Sequence, residues 1–351
     1  MTDRSDVHEA LRHHRIPVAE VVDETHDTKS FVLDIPDELA ETFRYRAGQF
    51  CTFRAEVDGE QHHRCYSMSS SPERDEKLTV TVKRVPGGAV SNWMNDTITA
   101  GDHLEVQRPA GVFCLRDDSS RPVLGYCGGS GVTPVMSIAK TALEATDRPI
   151  RLLFANRDRD SIIFHDELRR LVDEHPDRFE VQYHLDDERG FLDDEQVRAF
   201  VGDDVDADHY LCGPGPFMDL VETTLLDAGV APDDVLQERF DAPESAAPEM
   251  VADDDGADTP EELTIIFQGR HHKVGYTPGE TVLQTARRGG LKPPFSCEAG
   301  DCATCMGVLH EGEVTMRVNN ALDDDELEEG LILTCQSLPR GQKVTVEYES
   351  F

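Results

Sequence analysis

Four cysteines carry the clearest chemistry in this chain. Cys297, Cys302 and Cys305 stand as C-x4-C-x2-C, and Cys335 follows 30 residues later. Four thiolates at that spacing can hold two irons bridged by two sulfides. Gly300 and the small Ala303 and Thr304 let such a loop wrap closely. Its backbone N–H groups can then donate to the sulfurs and tune their potential. The competing reading is a structural zinc site. Zinc ligands usually come as two short C-x2-4-C pairs, whereas Cys335 stands alone. The other five cysteines, Cys51, Cys65, Cys114, Cys127 and Cys212, are scattered.

A second constellation suits a flavin. Arg64 offers a guanidinium fork for a pyrophosphate. Tyr66 offers an aromatic face for an isoalloxazine ring, and Ser67 a hydroxyl for its redox-active nitrogen. About 20 residues on, Gly87-Gly88-Ala89-Val90-Ser91 opens a helix whose first N–H groups can meet phosphate. Ser91 adds a hydroxyl there. Taken alone, Arg-x-Tyr-Ser is weak, because an isolated Arg or Tyr on a strand is more often a surface or core residue.

A third constellation suits a nicotinamide dinucleotide. Gly128-Gly129-Ser130-Gly131-Val132-Thr133-Pro134 follows a strand and opens a helix. Glycines let the backbone approach a pyrophosphate, and the helix start supplies the positive end of its dipole. Thr133 adds a hydroxyl, and Pro134 suits a first helical turn. Cys212-Gly213-Pro214 sits at another strand end, where ligands bind in open α/β sheets. Cys212 as an inert buried thiol is the plain alternative. Asn156-Arg157-Asp158-Arg159-Asp160 mixes an acid suited to a free 2′-hydroxyl with arginines suited to a 2′-phosphate. The balance leans to NADH over NADPH.

These residues need elements to hold them. Strand-like runs at Ile16–Val22, Ser30–Ile35, Gln49–Val57 and Leu78–Val85 predict a small antiparallel β-barrel, interrupted by a helix at Ala89–Asp96. Beyond residue 120, strands at Pro122–Cys127, Ile150–Ala155, Phe179–Leu185 and Tyr210–Cys212 alternate with helices at Val132–Glu144, Phe164–Glu174 and Pro216–Ala228. That alternation predicts an α/β domain with a parallel sheet. The segment 241–262 holds three prolines, nine acids and no basic or aromatic residue. It reads as a flexible acidic linker, reaching about 25 Å as a random coil. After it, Leu263–Phe267, His272–Gly275, Val282–Arg288 and Val344–Tyr348 predict a small α+β domain of β-grasp type. The expected division is 1–118, a flavin-binding barrel; 119–240, an NAD(P)-binding domain; 241–262, the linker; and 263–351, an iron–sulfur domain.

With Pro294-Phe295-Ser296 before the first cysteine and Gly307-Val308-Leu309 after the third, residues 263–351 resemble plant-type ferredoxins. Arg64 to Ser67, Gly87 to Ser91, Pro109-x-Gly111-x-Phe113 and the Gly-Gly-Ser-Gly-x-Thr-Pro turn together resemble the ferredoxin–NADP reductase superfamily. That likeness implies FAD, with FMN the alternative, in a six-stranded barrel. It implies that Val82 and Lys83 touch the flavin edge through backbone atoms. It also implies that Cys212 lies beside the nicotinamide during hydride transfer, and that Glu238 and the aromatic Phe240 stand near the flavin; simple packing is the alternative for the last two. The order of parts, Val82 to Gly88, and Met316-x-x-Asn319-Asn320-Ala321-Leu322 resemble reductase components of multicomponent oxygenases. The resemblance implies electron transfer from NAD(P)H through FAD to a [2Fe–2S] cluster and on to a partner, such as a Rieske-type terminal oxygenase. An NADH reductase of a hybrid-cluster protein is a neighbouring reading. A redox sensor without turnover is a remoter one, since it needs no hydride site.

Charge excludes other classes. Lys plus Arg is 34 against 70 Asp plus Glu, a formal net charge of −36. A nucleic-acid binder needs a basic face, and an anionic membrane surface repels such a chain. No apolar run approaches the ~20 residues of a membrane span, and the polar start Met1–Asp6 lacks the stretch of a signal peptide. The expectation is a cytoplasmic protein without membrane insertion. Only 7 of the 34 basic residues are Lys. A large acid excess with few lysines suits a salt-loaded cytoplasm, where a Debye length of ~3 Å at about 1 M salt screens self-repulsion.

Overall fold

The computed structural model describes residues 12–240, 259–295, 298, 300 and 303–348. Three sheets follow one another along the chain. The first is antiparallel, in the order β4-β3-β6-β1-β2-β5. Its strands are β1 (His14–Thr25), β2 (Thr28–Leu33), β3 (Phe50–Val57), β4 (Glu60–Ser67), β5 (Leu78–Lys83) and β6 (His103–Val106). A bridge between Met68 and Val80 brings its two edge strands together, as a barrel requires. Alternate residues such as Phe31, Leu33, Cys51, Phe53, Val80 and Val82 fill the interior.

The second sheet is parallel: β11-β10-β7-β8-β9. These are β7 (Val123–Gly128), β8 (Ile150–Asn156), β9 (Phe179–Leu185), β10 (Asp208–Gly213) and β11 (Val235–Arg239). The central strands β7 and β10 are buried along their whole length, as both-face coverage by helices demands. The third sheet is mixed, β13-β12-β16-β14-β15, with a helix at Val282–Arg288 packed on it. Its strands are β12 (Glu262–Phe267), β13 (Arg270–Gly275), β14 (Met306–Met316), β15 (Leu331–Leu333) and β16 (Ser337–Glu347).

Several elements escaped the sequence pattern. Strand β4 carries the Arg-x-Tyr-Ser motif, yet Glu-Gln-His-His-Arg-Cys-Tyr-Ser holds no β-branched residue. It forms because β3 pairs with it over eight consecutive positions, from Phe50↔Ser67 to Val57↔Glu60. β6, β11 and the long β14 were not expected either, nor was the helix Asp194–Val201, whose start is fixed by an Asp193/Gln196 capping box. Strand β12 begins at Glu262. Residues 241–258 of the expected linker lie outside the described residues, as do Cys297 and Cys302.

The crossover from barrel to parallel sheet is tied down by charge. Asp208, at the start of β10, is fully buried and faces Arg116, Arg121 and Arg148. Arg116 and Arg121 also reach Asp234, at 2.8 and 2.7 Å. The Arg116 N–H donates to the Tyr210 hydroxyl at 2.9 Å, and that hydroxyl donates to the Cys114 carbonyl at 3.2 Å. Burial alone would raise the Asp208 carboxyl. The Ser119 hydrogen bond and the arginines outweigh it and hold the group below the usual carboxylate range. Its contribution is therefore full above the unfolded-state value of ~3.9 and is lost as pH falls through the lower folded-state value.

Asp208→Asn leaves buried guanidinium charge uncompensated. It should destabilise the parallel-sheet domain by about 3–5 kcal/mol at pH 7, read as a lower urea midpoint. The gap to wild type should narrow below pH ~4. A gap that stays constant into acid would remove Asp208 from this role.

Candidate flavin, nicotinamide and iron–sulfur sites

Strand β4 presents the flavin motif at the seam between barrel and parallel sheet. The buried Ser67 hydroxyl donates to Glu238 Oε2 at 2.7 Å, across 171 residues of chain. Glu238 lies on β11, in register with Cys212 on β10. Ser67, Glu238 and Cys212 thus converge where barrel and sheet meet. The Tyr66 ring packs 5.6 Å from Phe53. Burial pushes its phenol well above the ordinary range, so it stays neutral. Arg64 is exposed and donates to the His63 carbonyl at 2.7 Å.

The expected phosphate cradle is a turn followed by the helix Ala89–Thr97. Gly87 has φ 73°, a conformation that favours glycine. Gly88 caps the helix with no side-chain acceptor, so the first-turn N–H groups keep their capacity for an anion. Ser91 Oγ accepts from the Val85 N–H at 3.1 Å, so it shapes the turn as well as facing it. Val90 is buried in the barrel core. Two residues that the motif did not flag fix this helix. Asn92 donates to the Val85 and Gly88 carbonyls at 3.0 and 2.7 Å. Asn95 donates to Val82 at 3.1 Å, which joins the helix to the edge of β5. Beside Val82, Lys83 lies 3.8 Å from Asp27. Burial lowers its ammonium pKa, partly offset by Asp27.

The nicotinamide constellation closes around β10. Gly129 takes φ 53° in the turn after β7, and the helix Val132–Ala145 follows. A Cβ on Gly131 would lie 2.2 Å from the Cys212 carbonyl oxygen, so only glycine fits. A Cβ on Gly213 would lie 2.8 Å from the Phe217 ring and 2.9 Å from the Gly128 nitrogen. Thr133 Oγ1 donates to the Ser130 carbonyl at 3.0 Å, tightening the turn. Pro134 lies in the buried first turn of its helix, and Pro214 caps the helix Gly215–Asp227. Both Gly131 and Pro214 cap without a side-chain acceptor, which fits a dinucleotide phosphate. Cys212 is fully buried between Cys127 and Glu238. Phe240, two residues past Glu238, is 42% exposed.

Two of the four cluster cysteines are described, and they lie together. Cys305 and Cys335 are 2% and 4% exposed, and the Cys335 N–H points at Cys305 Sγ at 3.4 Å. A backbone donor aimed at sulfur fits a thiolate ligand. Glu298 and Ala303 hold φ near 50° and Gly300 has φ 92°. Left-handed backbone at two non-glycine positions costs about 1–3 kcal/mol each and concentrates at functional loops. Neighbours that spacing could not flag hold the loop in place. Thr334 Oγ1 donates to the Cys305 carbonyl at 2.7 Å, Gln336 to that of Glu298 at 2.7 Å, and the Asn320 N–H to that of Gly300 at 3.0 Å. The donor set fits a [2Fe–2S] cluster.

Comparison with known proteins gives the same three parts. The sequence matches the oxidoreductase FAD-binding domain over residues 15–114, the oxidoreductase NAD-binding domain over 126–223, and the 2Fe-2S iron-sulfur cluster binding domain over 265–340. It is 38% identical over 341 residues to the ferredoxin reductase component of 3-ketosteroid-9-alpha-monooxygenase from Mycolicibacterium smegmatis, covering 95% of this chain and 96% of that protein. It is 32% identical over 356 residues to the glycine betaine monooxygenase reductase subunit of Pseudomonas aeruginosa, covering 95% of each. Phthalate dioxygenase reductase, described as modular for electron transfer from pyridine nucleotides to [2Fe-2S], superposes with TM-score 0.60 at 25% identity, over 95% of this chain and 98% of that one. Among the described residues no helix is long and apolar enough to cross a membrane. With FAD-binding, NAD-binding and [2Fe–2S] domains in one chain, and relatives matched over nearly their whole length, the protein belongs to the family of ferredoxin reductase components of multicomponent monooxygenases.

Proposed function

We propose that this reductase takes hydride from NADH at the Ser67–Glu238–Cys212 convergence and serves a Rieske-type terminal oxygenase. The Ser67–Glu238 hydrogen bond carries this reading, because it joins the flavin strand to the nicotinamide sheet at one point. Bound FAD supplies acceptance of two electrons and release of one at a time, and the bound cluster carries one. The chain's own residues prepare that chemistry. Glu238 accepts a hydrogen bond from the Ser67 hydroxyl, and that bond fixes the Ser67 oxygen next to Tyr66 on the flavin side. Cys212, in register with Glu238 on the neighbouring strand, stands at the nicotinamide side. Gly131 and Gly213 let the pyrophosphate-binding turn sit against β10. Arg64, Gly87, Gly88, Val90 and Ser91 form the FAD phosphate side; Gly129, Ser130, Gly131, Thr133, Pro134, Gly213 and Pro214 form the NADH side; Phe240 borders the ring. Cys297 and Cys302 complete the cluster ligands with Cys305 and Cys335.

Charge around the adenosine end supports NADH. The Asp187 N–H donates to the Arg157 carbonyl at 3.0 Å, which sets Asp186, Asp187 and Glu188 beside the Arg157–Arg159 loop. Arg157 itself lies 3.5 Å from Asp27 and Arg159 lies 3.9 Å from Glu188. A 2′-phosphate would meet more carboxylates than free guanidinium groups. The division 1–118, 119–240, 241–262 and 263–351 assigns one task to each part, with the acidic segment as tether. The net charge of −36 supports a salt-rich cytoplasm as the setting. The oxygenase components partnered by the relatives favour an oxygenase as electron acceptor over a hybrid-cluster protein.

Stopped-flow mixing with NADH tests the hydride site, because flavin bleaching and cluster reduction absorb differently. Ser67→Ala and Glu238→Gln should each slow flavin bleaching by about 10²-fold or more, with flavin still bound. Together they should cost little more than either alone. Cys212→Ala should also slow bleaching while leaving the cluster spectrum intact. Normal bleaching in Glu238→Gln would end this assignment.

Gly131→Ala drives a methyl into the Cys212 carbonyl. An adjustment of about 1 Å there should cost up to about a hundredfold in bleaching rate, with the flavin and cluster spectra unchanged. In the unaltered protein kcat/KM should be higher for NADH than for NADPH; the reverse order would overturn the reading of the 157–159 loop.

A further inference from the structure

Cys65 is the one residue of the Arg-x-Tyr-Ser motif to which flavin binding gives no task. Its thiol does not point into an inert core. Cys65 Sγ lies 3.3 Å from Thr52 Oγ1 within the barrel and 3.4 Å from Thr304 Oγ1 in the iron–sulfur domain. Cys65 directly precedes Tyr66, and Thr304 directly precedes the cluster ligand Cys305. The contact therefore joins the flavin-binding strand to the cluster-binding loop by the shortest covalent lead on each side.

Its surroundings are largely apolar. Phe50, Cys65 and Ala110 of the barrel share one apolar cluster with Ala303, Cys305, Leu322 and Cys335. At its rim, Arg108 of the barrel pairs with Glu326 at 2.6 Å, and the Glu326 side chain is only 9% exposed. Among the described residues this contact, the apolar patch and the Arg108–Glu326 pair all join the iron–sulfur domain to the barrel.

We propose that Cys65 and Thr304 are positioning residues for internal electron transfer, holding the cluster loop on the flavin-binding strand. This rests on the proposed function. Bound reduced flavin would give up its two electrons one at a time. A bound cluster would take the first and pass it to the electron-acceptor protein before taking the second, and the flavin's proton would go to solvent. No bond forms or breaks at Cys65 or Thr304.

The test uses the full holoprotein with Thr304→Cys. A thiol there stands within reach of Cys65 for a disulfide. After mild oxidation with dithiodipyridine, peptide mass spectrometry should find Cys65 joined to position 304. The link should be missing in Cys65→Ala/Thr304→Cys. The linked protein should still reduce its cluster from NADH at an undiminished rate. Absence of the link, or a linked protein whose cluster no longer accepts electrons, overturns the proposal. A second variant, Cys65→Trp, wedges the two surfaces apart from the barrel side and leaves the cluster-binding loop itself unaltered. Flavin bleaching and the cluster's EPR spectrum should be unchanged, while cluster reduction slows by up to about a hundredfold for a displacement of about 1 Å. Unchanged cluster reduction would reduce the contact to packing. Failure of NADH to bleach the flavin in unaltered protein would strike the proposed function instead, and is seen separately.

Discussion

The proposed hydride site depends on a buried carboxylate that lies at the other end of its strand. Asp208 begins β10 and Cys212 nearly ends it. Arg116 and Arg121 belong to the crossover that leaves the barrel, and Arg148 precedes β8. By collecting all three guanidinium groups, Asp208 fixes how the barrel exits into the parallel sheet. A buried charge of this kind adds little net stability compared with an apolar substitute. Its value is directional: charges in a low-dielectric site accept only a narrow geometry. That geometry brings β11 to the barrel, so that Glu238 arrives at Ser67.

The chemistry was more legible in the sequence than the architecture. Cysteine spacing and glycine-rich turns announce themselves because their function demands particular residue types close together in the chain. Gly131 and Gly213 illustrate the limit. The sequence shows glycines, and the structure shows that β10 takes up the space a Cβ would need. Strand β4 illustrates the converse. Its residues have poor intrinsic strand preference, and pairing with β3 overrides that preference. The Ser67–Glu238 bond, 171 residues apart, leaves no local trace. Nor does the pinning of the cluster loop by Thr334 and Gln336, which are ordinary polar residues until the fold places their side chains.

The barrel meets its two neighbours in different ways. Against the parallel sheet the seam is polar. Lys140, almost buried, pairs with Asp75 at 2.7 Å and Glu167 at 3.4 Å. Ser137 donates to the Ser70 carbonyl at 2.6 Å, and Ser71 and Thr141 hydroxyls meet at 2.7 Å. Nearby, Ser69, Thr81 and Ser30 hydroxyls run in a row to Glu24. Against the iron–sulfur domain the junction is mainly apolar, with Arg108–Glu326 at its edge.

Each junction suits the transfer it serves. A hydride is handed over between two rings in contact, and the donor must enter and leave every turnover. A polar seam holds barrel and sheet in one register through directional bonds between buried groups, which fixes where donor and acceptor meet. An electron needs proximity but no exchange of partner between flavin and cluster. An apolar junction supplies closeness without demanding that polar groups be paired and repaired. The Arg108–Glu326 ion pair at its rim adds orientation where the apolar patch alone would allow sliding, since apolar attraction is non-directional. The difference between the two seams accords with the proposed traffic: a nucleotide with its hydride at one, a lone electron at the other.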